Sequence, residues 1–349
     1  RVCAVLSWVA TTYMIAMNRF TWRILWIFLT CSVTLPILAT GEEPIPGTLS
    51  GRQGLQVVPI MARQSMPFPI LGVGVDVDGT VYVTETQRQM REEISLIQSG
   101  RVEVQARFLQ EQCMALTSTE TKRRFIEEHF SAEMAKRQAI FDFDRDGDID
   151  TDDLQVRSEK IYTLQDPDGD GVFDQATLFA NGFNSTITGV AHSVAPINGH
   201  VYATIIPDLW KLTDTNGDGT ADQRESLAHG FAPHIGYGNH DLHSVIQGYD
   251  GKLYWSMGDR GANVVAKDGR RLSNPHSGCI LRSNSDGTEL EIFAYGLRNC
   301  QYIDFDDYGN LFSIDHDADI QGESERLVYL PEGSGSGWRM YYQYRQDTR

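Results

Sequence analysis

Between residues 236 and 261 the chain reads Gly-Tyr-Gly-Asn-His-Asp-Leu-His and, one turn later, Met-Gly-Asp-Arg-Gly. Two imidazoles, two carboxylates and a guanidinium thus flank one hairpin. His240 precedes one apolar run and Asp259 follows the next, so antiparallel pairing of the two would bring imidazole and carboxylate to the same end. A histidine oriented by a carboxylate is the arrangement a general base needs. A second cluster, Gly296, Leu297, Arg298, Asn299, Cys300 and Gln301, adds a fixed cation and amide donors. Zinc held by His240, Asp241 and His243 is disfavoured, because that spacing on a strand turns the two rings to opposite faces.

Three acidic stretches offer a different chemistry. Asp142, Asp144, Asp146, Asp148 and Asp153 match an EF-hand-type calcium loop, with Gly147 at the sharp turn and a carboxylate at the twelfth position. Asp214, Asn216, Asp218, Asp222 and Glu225 match nearly as well, with a Glu in the last place. Asp166, Asp168, Asp170 and Asp174 end on Thr177 and should bind more weakly. Carboxylates so close together repel unless a hard cation neutralises them, so structural Ca2+ is the expectation. A solvated acidic turn held by side-chain to backbone hydrogen bonds is the alternative.

The elements that must position these groups are short strands. Four segments, 79–82, 199–202, 251–254 and 309–312, share a turn ending in Gly, one further residue, an aliphatic and an aromatic. Each reads as a hairpin. The last three recur at intervals of about 50–60 residues, the scale of β-propeller blades, and the first gap is about twice that, or two repeats. The fold expected is all-β, a six-bladed β-propeller of which this chain holds four or five blades. Residues 87–140, rich in Glu, Arg, Gln, Ala and Met, predict a helical insertion on its surface, with Thr117 and Glu120 as a capping box.

The whole chain has 349 residues, 41% hydrophobic, enough for a sizeable core. Its 47 acidic against 30 basic side chains give a net charge of −17, which excludes a nucleic-acid surface, since phosphate binding needs clustered Lys and Arg. Residues 1–41 read as an untranslated stretch followed by a signal segment: Arg19 and Arg23, then an apolar run over 24–39 broken by Thr30, Ser32, Thr34 and Pro36. Secretion to the periplasm follows, with retention as a membrane anchor the other outcome. Residues 42–349 form the propeller domain, truncated at its C-terminal side. Beyond the signal segment lie Cys113, Cys279 and Cys300, none in a CxxC spacing, and one disulfide, Cys279 with Cys300, is possible.

In order and spacing, these clusters resemble the soluble quinoprotein glucose/sorbosone dehydrogenases. That family has a His before the strand, an IGDxG-like turn after it, a GxRNPQ segment, a GNL strand and a GGxxGW turn. Here stand His240, the 257–261 turn, the 296–301 segment, Gly309-Asn310-Leu311, and the run from Gly333 to Trp338. The resemblance implies His240 as the base that takes a substrate hydroxyl proton and Asp259 as its partner, with Arg298 completing the reacting set. It also implies contacts from His240, Arg298, Asn299 and Gln301 to pyrroloquinoline quinone. A closer likeness, over about 54–344, is to the membrane-bound dehydrogenase family of PVC-type bacteria, whose longer members carry a haem-binding CxxCH domain. It is carried by Val81-Tyr82-Val83-Thr84-Glu85-Thr86, Asp208-Leu209-Trp210, His240-Asp241-Leu242-His243 and Gly337-Trp338-Arg339-Met340. Cys300 departs from the pattern's Pro, and Asn239 from the Asp of the sugar dehydrogenases.

The function expected is a periplasmic oxidation of a sugar or polyol, with electrons passing to a c-type cytochrome partner or domain. A non-catalytic, calcium-stabilised propeller that binds carbohydrate or protein is the competing expectation. The two part on whether His240, Asp259 and Arg298 converge.

Overall fold

The computed structural model describes residues 69–88, 112, 115–137, 140–235, 239–316 and 324–340. The signal segment, Cys113 and most of 87–114 lie outside them. The chain divides into two compact units, residues 1–67 with 164–177 and residues 68–163 with 178–349. Of the first, only the acidic turn over 164–177 is described. The second carries the blades.

Four sheets follow one another along the chain. The first has strands β1 (Ile70–Val75), β2 (Val81–Glu85), β3 (Glu159–Gln165) and β4 (Gln175–Phe183). The second has β5 (Ala191–Ile197), β6 (His200–Ile205), β7 (Asp208–Thr213) and β8 (Gln223–His229). The third runs β9 (Leu242–Gln247), β10 (Leu253–Met257), β13 (Gly278–Ser283) and β14 (Glu291–Leu297), with a separate hairpin of β11 (Ala262–Val265) and β12 (Arg271–Asn274) inserted after β10. The fourth has β15 (Cys300–Phe305), β16 (Leu311–Asp315) and β17 (Arg326–Tyr329). The first strands of successive sheets, β1, β5, β9 and β15, pack on one another, which is a propeller arrangement of four blades.

Each of the four repeated motifs is the turn between the first two strands of a blade. Gly251 at φ 78° shows why glycine is needed there, since that left-handed region penalises a Cβ. The long first gap does not hold two repeats. It holds one blade, whose second and third strands are separated by residues 86–158.

The cores lie between blades. Val194, Leu212, Ile161 and Phe179 join the first two, while Leu209, Phe231, Trp255 and Leu281 join the second and third. Each such side chain contributes roughly 1.5–3 kcal/mol on burial. Two short helices, α1 (Thr119–His129) and α2 (Ala132–Arg137), precede β3. In α1, Phe125 and Ile126 are buried, while Arg123 faces outward and pairs with Glu120 and Glu127. The α1 cap is Ser118 with Thr121, not Thr117 with Glu120. Ser118 Oγ accepts Thr121 N–H and Thr121 Oγ1 accepts Ser118 N–H, each at 3.1 Å, so a hydroxyl fills the place expected of the Glu. Cys279 and Cys300 are buried free thiols, since they sit in different blades. No helix among the described residues is long and apolar enough to cross a membrane.

Candidate active site

Pairing of β9 with β10 sets Leu242 opposite Met257, so the residue just before β9 and the turn just after β10 share one end of the third blade. A Cβ at Gly258 would fall 2.5 Å from the His240 carbonyl carbon, and only glycine lets the turn pass. His240 Nδ1–H then donates to Asp259 Oδ1 at 2.7 Å. The second Asp259 oxygen accepts Trp338 Nε1–H at 3.0 Å. This pair is buried, and it leaves His240 Nε2 as the ring nitrogen able to accept a proton.

Arg298 and Asn299 form the turn between β14 and β15. Their amides donate to one oxygen of Asp315, the last residue of β16, at 2.9 and 2.8 Å. The other Asp315 oxygen is bonded by Arg326. Arg298 Nη1 donates to the His316 carbonyl at 2.6 Å, and its guanidinium lies 5.7 Å from the centre of the Trp338 ring. Asn299 Nδ2 donates to the Asn239 carbonyl at 3.2 Å, and its Oδ1 accepts from His243 Nε2 at 2.9 Å. The β14–β15 turn is thereby tied to the loop that carries His240.

A second buried layer adjoins this one. Asp241 is bonded by Arg260, and His192 Nε2 lies 3.6 Å from its other oxygen. Burial opposes ionisation of Asp241, but Arg260 and then His192 outweigh it and hold the carboxyl far below the ordinary range. His243, whose ring is 4.1 Å from that of His192, is pushed well below 6.5 by burial and then by His192, so it stays neutral.

His240, Asp259 and Arg298 therefore meet through Trp338. Asn299 is engaged with Asn239 and His243, and Gln301, in β15, makes no described hydrogen bond to this group. Asp315, Asp241 and Trp338 were missed as site residues. The Asp315 and Trp338 contacts cross from one element to another, which spacing along the chain does not reveal, although Trp338 and Asp241 both stand in the motifs that carry the resemblance. Among the described residues, His240, Asp241 and His243 do not converge on a common ion position.

The acidic loops lie elsewhere. Side-chain oxygens of Asp142, Asp144 and Asp146 come within 4.8 Å of one another, as do those of Asp166, Asp168 and Asp170. Asp153 instead turns inward, accepting the amides of Phe143 and Asp150 at 2.5 and 3.0 Å. In the third loop Asp214 accepts three amides, Asp222 bonds Thr215, and Glu225 pairs with Lys267 at 2.7 Å, so no such cluster forms among the described residues.

The candidate site is thus the buried His240–Asp259 pair with the Arg298 guanidinium on the other side of Trp338. The chain belongs to the family described as Domain of unknown function (DUF7133), whose model matches residues 69–330. No curated protein matches it. Among solved structures it is similar to the PQQ-bound aldose sugar dehydrogenase from Streptomyces coelicolor, at 13% identity and TM-score 0.42, over 78% of this chain and 63% of that one. It is also similar to the PQQ domain of pyranose dehydrogenase from Coprinopsis cinerea, at 14% identity and TM-score 0.37, over 75% of this chain and 48% of that one. A chain of a nidogen/laminin complex matches at 14% identity and TM-score 0.35, over 75% of this chain and 65% of that one. This chain thus spans less than two thirds of each of these three.

Proposed function

We propose that the protein is a quinone-dependent dehydrogenase that oxidises a sugar or polyol hydroxyl at the His240 site. It would act in the periplasm as part of a six-bladed propeller and pass electrons to a c-type haem. The observation that carries the reading is the buried hydrogen bond from His240 to Asp259 with Arg298 across Trp338. Pyrroloquinoline quinone is an anion, and a guanidinium, an imidazole and an indole face gathered in one place suit it chemically. Arg298 and His240 would hold it.

The cofactor, when bound, supplies the two-electron acceptor. The chain supplies the rest. Asp259 accepts His240 Nδ1–H and so fixes the tautomer in which Nε2 takes the hydroxyl proton, and it stabilises the imidazolium that results. Trp338 holds the carboxylate in place. Arg298 supplies a cation that the Asp315 and His316 bonds keep from moving, so little reorganisation accompanies the reaction. Ca2+ in the loops of Asp142 and Asp166 would be structural.

The test is quinone absorbance on titration of the full-length protein, with dye-coupled oxidation of a sugar panel. Stoichiometric binding, with turnover reduced about 100-fold or more in His240→Ala while binding persists, is the expected result. A folded protein that takes up no quinone at micromolar concentration refutes the reading.

A further inference from the structure

A cavity of about 420 Å³ opens among residues that share nothing with the His240 site: the start of α1, the end of β4 and the loop after it, and the facing ends of β7 and β8. That volume is within the range of small-ligand pockets. Antiparallel register makes Asp208 and His229 direct cross-strand partners, which brings their side chains to one face. His229 Nδ1 donates to Asp208 Oδ1 at 2.9 Å, and Ser226 Oγ donates to the same oxygen at 2.6 Å. Helix α1 is docked by Lys122 Nζ on the Ala232 carbonyl at 3.1 Å, which sets Thr119 over the ring. Thr119 Oγ1 lies 3.0 Å from His229 Nε2.

Hydroxyl, imidazole and carboxylate are thus hydrogen-bonded in series, in the order that nucleophilic catalysis requires. The carboxylate and the hydroxyl are buried, while His229 is reached by solvent. Phe183, Ile187, Ile206 and Trp210 give the cavity an apolar wall. From this geometry we propose a second active site, in which Thr119 hydrolyses small esters whose acyl group fits that wall.

Thr119 Oγ attacks the carbonyl carbon while its proton passes to His229 Nε2. The bond to the alkoxy oxygen breaks, and that oxygen leaves as the alcohol with the proton returned by His229. Water, deprotonated by His229, then attacks the acyl-threonine, which releases the acid and restores the hydroxyl. Water is the only co-reactant. The amides of Thr119 and Glu120, in the first helical turn, have no intrahelical acceptor and lie at the end where the oxyanion would form. The charged groups lining the cavity with His229 are Asp208, Glu120 and Arg123, the last paired with Glu120 and Glu127. The Asp208 hydrogen bond raises the His229 pKa above 6.5 against the opposing effect of burial, so the basic form grows in and the rate rises with pH above that value.

Full-length protein is treated with a fluorophosphonate and mapped by mass spectrometry, and p-nitrophenyl acetate and butyrate hydrolysis is followed from pH 5 to 9. Expected are one phosphonyl group on Thr119 and a rate that rises through a single ionisation above 6.5. Thr119→Val and His229→Gln lose about 100-fold, and Thr119→Ser keeps both activity and labelling. Asp208→Asn moves the pH midpoint down. An unlabelled Thr119 in protein shown to be folded by its thermal transition overturns the proposal, as does hydrolysis unchanged in Thr119→Val. Neither outcome bears on quinone binding at His240.

Discussion

His240 and Asp259 are 19 positions apart, and a hydrogen bond joins them because β9 and β10 are antiparallel neighbours. Trp338, 79 positions from Asp259, completes the arrangement. Its indole N–H satisfies the oxygen that His240 leaves, so loss of that donor frees the carboxylate to rotate. Trp338→Phe keeps a ring face toward Arg298 but removes the donor. A hydrogen bond to a charged group contributes about 1.5–3 kcal/mol, so kcat is expected to fall at least tenfold with KM for the sugar little changed. Steady-state kinetics on the quinone-loaded protein decide it: an unaltered kcat means that Asp259 is held by His240 alone.

At the scale of elements, the β14–β15 turn depends on Asp315, which is buried at the end of β16 and accepts two successive amides. Asp315→Ala leaves both donors and the Arg326 guanidinium without that partner, at a cost of about 3–5 kcal/mol. Denaturant unfolding should show this as a lower midpoint at unchanged slope. The acidic turns are a separate test: if the loops of Asp142 and Asp166 bind Ca2+, Tm rises with Ca2+ and falls with chelator, less in Asp144→Asn. A Tm that ignores Ca2+ makes them solvated turns. Hairpins were legible because Gly79, Gly199, Gly251 and Gly309 punctuate a repeated strand pattern, and the His240 loop was legible because His and Asp flank one of those hairpins. The split first blade was not, since a long insertion and a missing repeat lengthen the gap equally. Nor was Asp315 legible, because two of its partners are backbone amides and the third, Arg326, is reached only through the pairing of β16 with β17. Nor was the Thr119–His229–Asp208 series, whose first member lies 110 residues from the second and reaches it only through helix docking.

For the whole molecule, the buried layer of Asp241, Arg260, His192 and His243 joins the second, third and fourth blades, because His243 bonds Asn299 and Asp241 faces His192. Its charge state therefore bears on the stability of all three. His243 has a folded pKa well below 6.5, so below about 6.5 the unfolded chain takes up a proton that the fold refuses, and stability present above that pH is lost as pH falls. Asp241 acts in the same direction further down, below its ordinary 3.8. His229 acts oppositely, since its raised pKa favours the fold as pH falls through it, but it is half-exposed and the effect is screened. The net loss approaches at most about 1.4 kcal/mol per pH unit for each refused proton. Tm is thus expected to decline between pH 6.5 and 5. In His243→Gln, whose amide can still donate to Asn299, Tm at pH 7 drops a few degrees but the acid-side slope flattens. Thermal melts of the two proteins across that range decide the matter. Parallel declines would locate the acid sensitivity at groups other than His243, whereas a flattened slope would tie the protonation that threatens the fold to a residue adjoining the proposed base.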